Sequence, residues 1–199
     1  VMLRTNPKYI DDIVELMDMG KSKTATTPGL LLDPPEDSPL LIEVDTTMFR
    51  SAVGTALYVT PDREDIQRDV QLLARAMKAS TDFDCKRLVR LVRDLKGTRT
   101  FGVLMKKPKG EPGIVRMDMY SDTNFANCKE TRRAMTCSAL RLDGVPFAGF
   151  ARRQAVQSTS SGEAEFYGAG FVVMDGRVVK HVLQWLGYKV YGLLLDSSA

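Results

Sequence analysis

The apolar residues of this 199-residue chain change their spacing at one place, and that change limits what the chain can fold into. Before it they recur every three or four positions, the period of helices. After the basic Pro/Gly break KKPKGEPG, residues 106–113, they alternate with polar residues in IVRMDMYSD, as in a half-buried strand. The chain therefore reads as a mainly helical part followed by an α/β part. We place the divisions at residues 1–47, a helix and a Pro-rich arm, 48–106, a helical segment, and 112–199, an α/β domain.

In the first part, residues 7–19 read as a helix. Asn6 can cap it, Pro7 fits its first turn, and Ile10, Ile13, Leu16 and Met17 share one face. The segment contains Tyr9-Ile10-Asp11-Asp12, which looks like the metal-holding box of a polymerase. That box needs a tight turn between two strands and a further carboxylate well upstream. Here Asp11 and Asp12 suit the first turns of a helix, where the dipole favours carboxylates. The segment TTPGLLLDPPEDSP reads as an extended arm. MFRSAVGTALYVT reads as helical in its body. Pro61 is expected to open a helix with Ile66, Val70, Leu73, Ala74 and Met77 on one face. A further helix is expected from Thr81 to Lys96, ended by Gly97, with Leu88, Leu91, Val92 and Leu95 as its stripe. Its other face carries Lys86, Arg87, Arg90, Arg93 and Lys96, either a solvated face or a phosphate track.

In the second part, TCSALRLDG and VPFAGFARRQ read as strands joined by a turn at Asp143-Gly144. Glu163–Leu186 reads as a helix, against the preferences of Gly168, Gly170 and Gly176. KVYGLLLD reads as a further buried strand. In this order three carboxylates occupy special places: Asp122 at the end of the first strand, Glu165 in the first turns of the helix, Asp196 at the end of the last strand. If the helix packs beside those strands, the three converge on a hard-oxygen site suited to Mg²⁺. Two such ions about 4 Å apart serve phosphodiester hydrolysis.

Composition narrows the alternatives. Net charge is +3, with a sequence pI of about 8.8, compatible with a polyanionic partner. Cys85, Cys128 and Cys137 form no Cys-x-x-Cys pair and His181 is the only histidine, which argues against a zinc site or a disulfide framework. The odd cysteine count suits a reducing compartment. No apolar run reaches membrane-spanning length and no signal-peptide core opens the chain, so no membrane partner is expected. The first residue is Val and the last stretch is DSSA, so both ends read as cuts through a longer protein. His181 is expected at the surface, Trp185 in the core, and the ten methionines as core filler.

The stretch MYSDTNFANCKETRRAMTCSALRLDGVPFAGFARRQAVQSTSSGEAEFYGA resembles the ribonuclease H domain of copia-like LTR retrotransposon polyproteins. The elements that carry this are Tyr120-Ser121-Asp122 with Phe125-Ala126, Arg132-Arg133, Arg153-Gln154, and Ser160-Ser161-Gly162-Glu163-Ala164-Glu165-Phe166. Upstream, FRSAVGTALYVTPDREDIQRDVQLLARAMKAS and KRLVRLVRDLKGT are similar to the segment joining polymerase to ribonuclease H. PKYIDDIVELMDM is similar to the thumb helix beyond the polymerase box. The resemblance implies an α/β fold of RNase H-like mixed sheet with a helix, preceded by a mainly helical thumb and connection segment.

It also implies a function: Mg²⁺-dependent cleavage of the RNA strand in an RNA–DNA hybrid. Asp122, Glu165 and Asp196 match the family's metal carboxylates, with two Mg²⁺ ions expected and Mn²⁺ as an alternative. Glu165 aligns with the catalytic glutamate, and Glu163 is the fallback. Ser197 and Ser198 stand where family members bring polar residues toward nucleic acid. Arg132, Arg133, Arg152 and Arg153 are candidates for phosphate contact. The hybrid would be read through backbone, shape and the 2′-hydroxyl. The implied partners are the hybrid and the upstream polymerase domain of the same polyprotein, in a cytoplasmic virus-like particle or the nucleus.

The chain also departs from the pattern. Phe125 replaces a Trp, Gly162 a hydroxyl residue, Phe147–Phe150 a Ser-Trp hairpin end, and Arg63-Glu64-Asp65 an Arg-Pro-Asp. A fourth acidic position of the family lies beyond Ala199. Two rival readings follow: a catalytically inactive nucleic-acid-binding remnant, and an integrase-type strand transferase.

Overall fold

The computed structural model describes residues 1–30, 32, 35, 37–106, 110–126, 128 and 131–196, the last four by backbone alone. In chain order the elements are β1 (Met2–Leu3), α1 (Lys8–Leu16), α2 (Glu43–Val59), two 3₁₀ turns (Thr60–Asp62 and Glu64–Ile66), α3 (Gln67–Ala76), α4 (Asp82–Gly97), β2 (Val103–Leu104), β3 (Ile114–Asn124), β4 (Met135–Leu142), β5 (Val145–Arg153), α5 (Ser161–Trp185) and β6 (Lys189–Asp196). They form two compact units, Met2–Val103 and Leu104–Ala199, the latter including Val1. No described helix is long and apolar enough to cross a membrane.

The first unit is helical. Phe49, Ala52, Val53, Ala56 and Val59 recur at helical spacing on α2 and are buried among Ile10 and Ile13 of α1, Val70 and Leu73 of α3, and Leu88, Leu91, Val92 and Leu95 of α4. Tyr9-Ile10-Asp11-Asp12 thus lies on a helix, as its periodicity predicted. Ile10 enters the core, Tyr9 stacks on Tyr58, and Asp11 pairs with Arg99. Asn6 accepts a hydrogen bond from the Lys8 N–H at 3.0 Å. Thr81 and Asp84 form a reciprocal capping box at the start of α4.

Two expectations are corrected in this unit. Pro61 does not open a continuous helix. It sits in a 3₁₀ turn that breaks at Arg63, where φ is −135° and ψ 75°, and α3 begins only at Gln67. The break lets the Arg63 side chain turn inward. There it donates to both Asp65 carboxylate oxygens at 2.8 and 2.7 Å and to the backbone carbonyl and hydroxyl of Thr98 at 3.1 and 2.8 Å. On the basic face of α4, three of the five named cations are engaged rather than simply solvated. Arg90 donates to Thr27, Arg93 to the Lys23 carbonyl, and Lys96 to the carbonyls of Met19, Gly20 and Ser22. These three cations strap residues 19–27 onto the helix.

The second unit is a four-stranded sheet in the order β5-β4-β3-β6. β3 and β5 both run antiparallel to β4. β6 runs parallel to β3, from Ile114↔Lys189 to Ser121↔Asp196. β4 and β5 are joined at Asp143 and Gly144, whose φ of 51° and 77° are those of a tight hairpin turn. α5 packs on the sheet over Met117, Met119 and Leu140 through Val172, with Val190 completing the core.

Three glycines did not prevent α5 from running 25 residues. Two of them lie close against the sheet. A Cβ on Gly168 would lie 2.5 Å from Thr123 Oγ1 and 3.2 Å from Thr136 Cγ2, and one on Gly176 would collide with Met119 Sδ. Small residues let the helix backbone approach the sheet, and the tertiary contact outweighs the helix-propensity cost of about 1 kcal/mol each.

Three further expectations differ from the structure. Trp185 is 85% exposed rather than in the core, because it falls on the face of α5 turned away from the sheet. β6 is an edge strand rather than a buried one, and of its described side chains Val190 alone is buried. The methionines divide: Met19, Met117, Met119 and Met135 are buried, whereas Met2, Met105 and Met174 are exposed.

Candidate metal centre and nucleic-acid face

By backbone, Asp122 and Asp196 stand at the carboxyl ends of the two parallel strands, and Glu165 of α5 reaches the same end, where open α/β sheets characteristically bind ligands. Along β3 the side chains alternate. Met117, Met119, Ser121 and Thr123 are buried, and the close approaches of Gly176 and Gly168 put α5 on their side. Asp122 is exposed and by alternation points to the opposite face. β6 ends its pairing with β3 at Ser121↔Asp196, so Asp196 stands at a register position one residue before Asp122.

Glu165 comes from the first turns of α5. Its Oε1 accepts the backbone N–H of Thr123 at 3.2 Å, just past the last β3–β6 pair. Glu165 therefore reaches the peptide next to Asp122, at the strand end where Asp196 also stops. Asp122 and Glu165 approach that end from opposite sides of β3. The Asp196 side chain, Ser197 and Ser198 lie outside what the structure describes. Among the described residues, no three Asp, Glu, His or Cys side chains stand close enough together to hold a metal ion.

Glu163, the alternative to Glu165, is engaged elsewhere. Its carboxylate accepts the backbone N–H and the hydroxyl of Thr159 at 2.6 and 2.7 Å, while its own N–H donates to Ser160 Oγ at 3.1 Å. These bonds, the backbone one foremost, hold its carboxyl below the usual carboxylate range. Glu163 caps the helix, which leaves Glu165 as the candidate ligand.

The start of α5 is held in place by a buried polar network that sequence reasoning did not foresee. Gln154, at the end of β5, is 1% exposed. Its amide nitrogen donates to Thr136 Oγ1 at 3.0 Å and to the Ala164 carbonyl at 2.8 Å, and its oxygen accepts from Ser158 Oγ at 3.0 Å. Thr136 in turn shares a hydrogen bond with Thr123 across the sheet. The carbonyl of Ala164 is the peptide immediately before Glu165, so this network sets where that carboxylate emerges. Gln154 stood in the quoted Arg153-Gln154 motif, but nothing in its neighbours announces burial.

The candidate phosphate-binding arginines differ in freedom. Arg152 pairs with Asp175 at 2.8 Å and lies over the rings of Phe150 and Phe171. Arg153 is exposed, with Cys128 Sγ 3.8 Å from its Nη1. Arg132 is exposed and Arg133 half-buried, with the Arg132 N–H on the Cys128 carbonyl at 2.7 Å. His181 is at the surface of α5, as expected.

Sequence comparison relates the chain to retrotransposon polyproteins. It is 29% identical over 176 residues to the uncharacterized mitochondrial protein AtMg00810 of Arabidopsis thaliana, over 83% of this chain and 70% of that one. It is 26% identical over 186 residues to the retrovirus-related Pol polyprotein from transposon RE1 of the same plant, over 92% of this chain and 12% of the polyprotein. The corresponding polyprotein from transposon RE2 is 28% identical over 142 residues, 71% of this chain and 9% of its own length. The chain is thus distantly similar to copia-type Pol polyproteins over a small part of each. No protein-family model and no solved structure matches it.

Proposed function

We propose that residues 112–199 form a ribonuclease H-like domain that cleaves the RNA strand of RNA–DNA hybrids, in a chain related to retrotransposon Pol. One observation carries the reading: Glu165 docks on the Thr123 peptide, beside Asp122 and at the point where β6 ends in Asp196. The strand and helix order and the distant similarity to Pol polyproteins support it. In this reading residues 1–106 correspond to thumb and connection segments that pack with an upstream polymerase domain.

Asp122, Glu165 and Asp196 would hold the metal, two Mg²⁺ ions or Mn²⁺. The donor set fits hard cations, being carboxylate oxygens from three separate elements. Such ions supply an activated water and charge stabilisation on the leaving oxygen. The chain's own contribution is positional. Gln154 and the Glu163 cap fix the first turn of α5, and with it the Glu165 carboxylate, against the end of β3. Arg132, Arg133 and Arg153 offer cations to the backbone of the hybrid. Arg152 reaches phosphate only by leaving Asp175, and Ser197 and Ser198 would follow the metal site along the chain.

A second reading, a hybrid-binding module without cleavage, is favoured by the opposite-face arrangement of Asp122 and Glu165. Cleavage of a labelled RNA–DNA hybrid, with Mg²⁺ and with chelator, separates the two. The nuclease reading expects Mg²⁺-dependent cleavage that Asp122→Asn reduces by at least roughly 100-fold, the upper end of what losing even an outer-shell metal partner costs. Salt-sensitive hybrid binding without cleavage would select the binding module.

A further inference from the structure

From the groove along α4 we infer a docking site for an amphipathic helix of a partner protein. Its acidic carboxyl end would lie against Lys23 and Arg93, and its basic amino end toward Asp45 and Asp82. The inference stands apart from the nuclease reading, since every residue it uses lies in the first unit.

The groove measures about 610 Å³, and its apolar lining is Met17, Met19, Met48, Cys85 and Val89. That volume falls within the range of ligand sites, roughly 300–1,000 Å³. Cys85, Val89 and Arg93 follow one another at four-residue spacing on α4, so they share one helix face. The groove therefore follows α4 for about 12 Å. A partner helix of that length presents its residues i to i+7, the span over which helix-in-groove anchors recur. Methionine side chains are flexible and polarisable, which suits them to surfaces that take up helices.

The wall beside α4 is pre-formed. Arg93 Nε donates to the Lys23 carbonyl at 2.6 Å, Lys96 to the carbonyls of Met19, Gly20 and Ser22, and Ser22 Oγ to the Met19 carbonyl at 2.8 Å. These bonds hold the polar backbone of the arm against α4. Met17, Met48, Cys85 and Val89 remain half-buried, with the Lys23 side chain exposed.

The groove is also polarised. Lys23 and Arg93 line one end. At the other, Asp82 and Asp84 precede Cys85 in the first turn of α4, and Asp45 lies one turn before Met48 on α2. Burial, and then the charges of Asp45, Asp82 and Asp84, push the Cys85 thiol up, so a negative field reaches that end. A helix dipole is positive at its amino end and negative at its carboxyl end. A helix lying parallel to α4 thus meets complementary charge at both ends. A polyanion would be repelled at the Cys85 end, and an aliphatic acid carries charge for one end alone.

The test measures fluorescence anisotropy of labelled, hydrocarbon-stapled helical peptides on the full chain, with folding of each variant checked by circular dichroism. Both peptides carry leucine at i, i+3 and i+7. One has lysines in its first turn and glutamates in its last, and the other has these charges exchanged. The parent should bind the first at least several-fold more tightly, and added salt should narrow the gap. Lys23→Glu should weaken the first peptide several-fold and strengthen the exchanged one. Met48→Glu should weaken both, and Met48→Ser replaces it if it does not fold. Equal affinity for the two peptides, no binding of either, or folded variants that match the parent would overturn the docking site. So would dodecanoate binding with neither peptide bound, which selects a small-amphiphile site. Self-association through this groove with neither peptide bound would overturn it in favour of a second copy.

Discussion

The side-chain nitrogen of Gln154 donates to the backbone carbonyl of Ala164 at 2.8 Å, tying the end of β5 to the first turn of α5. The bond is buried, and the same amide also serves Thr136 and Ser158. A buried network with every member satisfied costs most when one partner is removed, because the others lose both protein and water. Gln154→Leu should therefore destabilise the second unit by about 2–4 kcal/mol. Urea unfolding followed by circular dichroism reads this. A change below about 0.5 kcal/mol would mean that the network does not hold the helix.

Gly168, Gly170 and Gly176 of α5 should separate in sign. Gly170 has open space around it, so Gly170→Ala should stabilise by about 0.5–1 kcal/mol through helix propensity and unfolded-state entropy. Gly168→Ala meets two β-branched threonines that are already hydrogen-bonded to each other, and should cost about 1–3 kcal/mol as overpacking. Gly176→Ala meets the flexible side chain of Met119 and should fall between them. Thermal midpoints of the three variants decide the order.

Lys96 donates to the carbonyls of Met19, Gly20 and Ser22, at 3.2, 2.5 and 2.8 Å. Lys96→Met keeps the aliphatic stem and removes the charge. It should cost about 1–2 kcal/mol and raise the rate of limited proteolysis within residues 19–27. If the basic face of α4 worked mainly as a phosphate track, the variant would instead lose nucleic-acid affinity while its cleavage pattern stayed like the parent's.

Two carboxyl groups should give opposite pH dependence. Asp94 is 2% exposed, and burial raises its pKa above 3.8 against the opposing pull of Arg63. The folded state holds that proton more tightly than the unfolded one. Its contribution is present below the unfolded value and is lost as pH rises through the folded one. Glu163 is held below 4.5 by its Thr159 bonds. Its contribution is present above the unfolded value and is lost as pH falls through the folded one. Denaturant unfolding from neutral pH down to about pH 3 should show the stability of Asp94→Asn gaining on the parent as pH rises. Glu163→Gln should lose ground over the same direction. Parallel profiles for parent and both variants would contradict the assignment.

Trp185 is the single tryptophan, so intrinsic fluorescence reports one position. With 85% of it exposed, the folded chain should show emission close to that of free indole in water and strong quenching by acrylamide. Unfolding should change the emission wavelength little. A blue-shifted, poorly quenched emission would place the residue in an apolar environment and refute its exposure.

Much of the fold was legible because it is local. The α1 and α4 spans followed from apolar residues three and four apart, and β3 from alternation. The Asp143-Gly144 hairpin followed from turn chemistry. The misreadings share a cause. Trp185 was placed inside by residue type, and β6 was placed inside by its apolar run, yet strand order made β6 an edge and helix rotation turned Trp185 outward. Pro61 marks a helix start in general, but here the backbone leaves helical geometry at Arg63, whose side chain is held by Asp65 and Thr98.

By itself the sequence determined the two textures, the sites of most helices and strands, and the placement of Asp122 and Asp196 toward strand ends and of Glu165 in the first turns of α5. These are consequences of backbone period and capping, which act within a few residues. The tertiary structure alone decided that Glu165 rather than Glu163 reaches β3, that Asp122 faces away from α5, and that the α4 cations bind an arm about 70 residues away. Those outcomes depend on how far a helix is rotated and how closely it approaches a sheet. Both are set by non-local packing, at the small side of Gly168 and in the buried amide of Gln154.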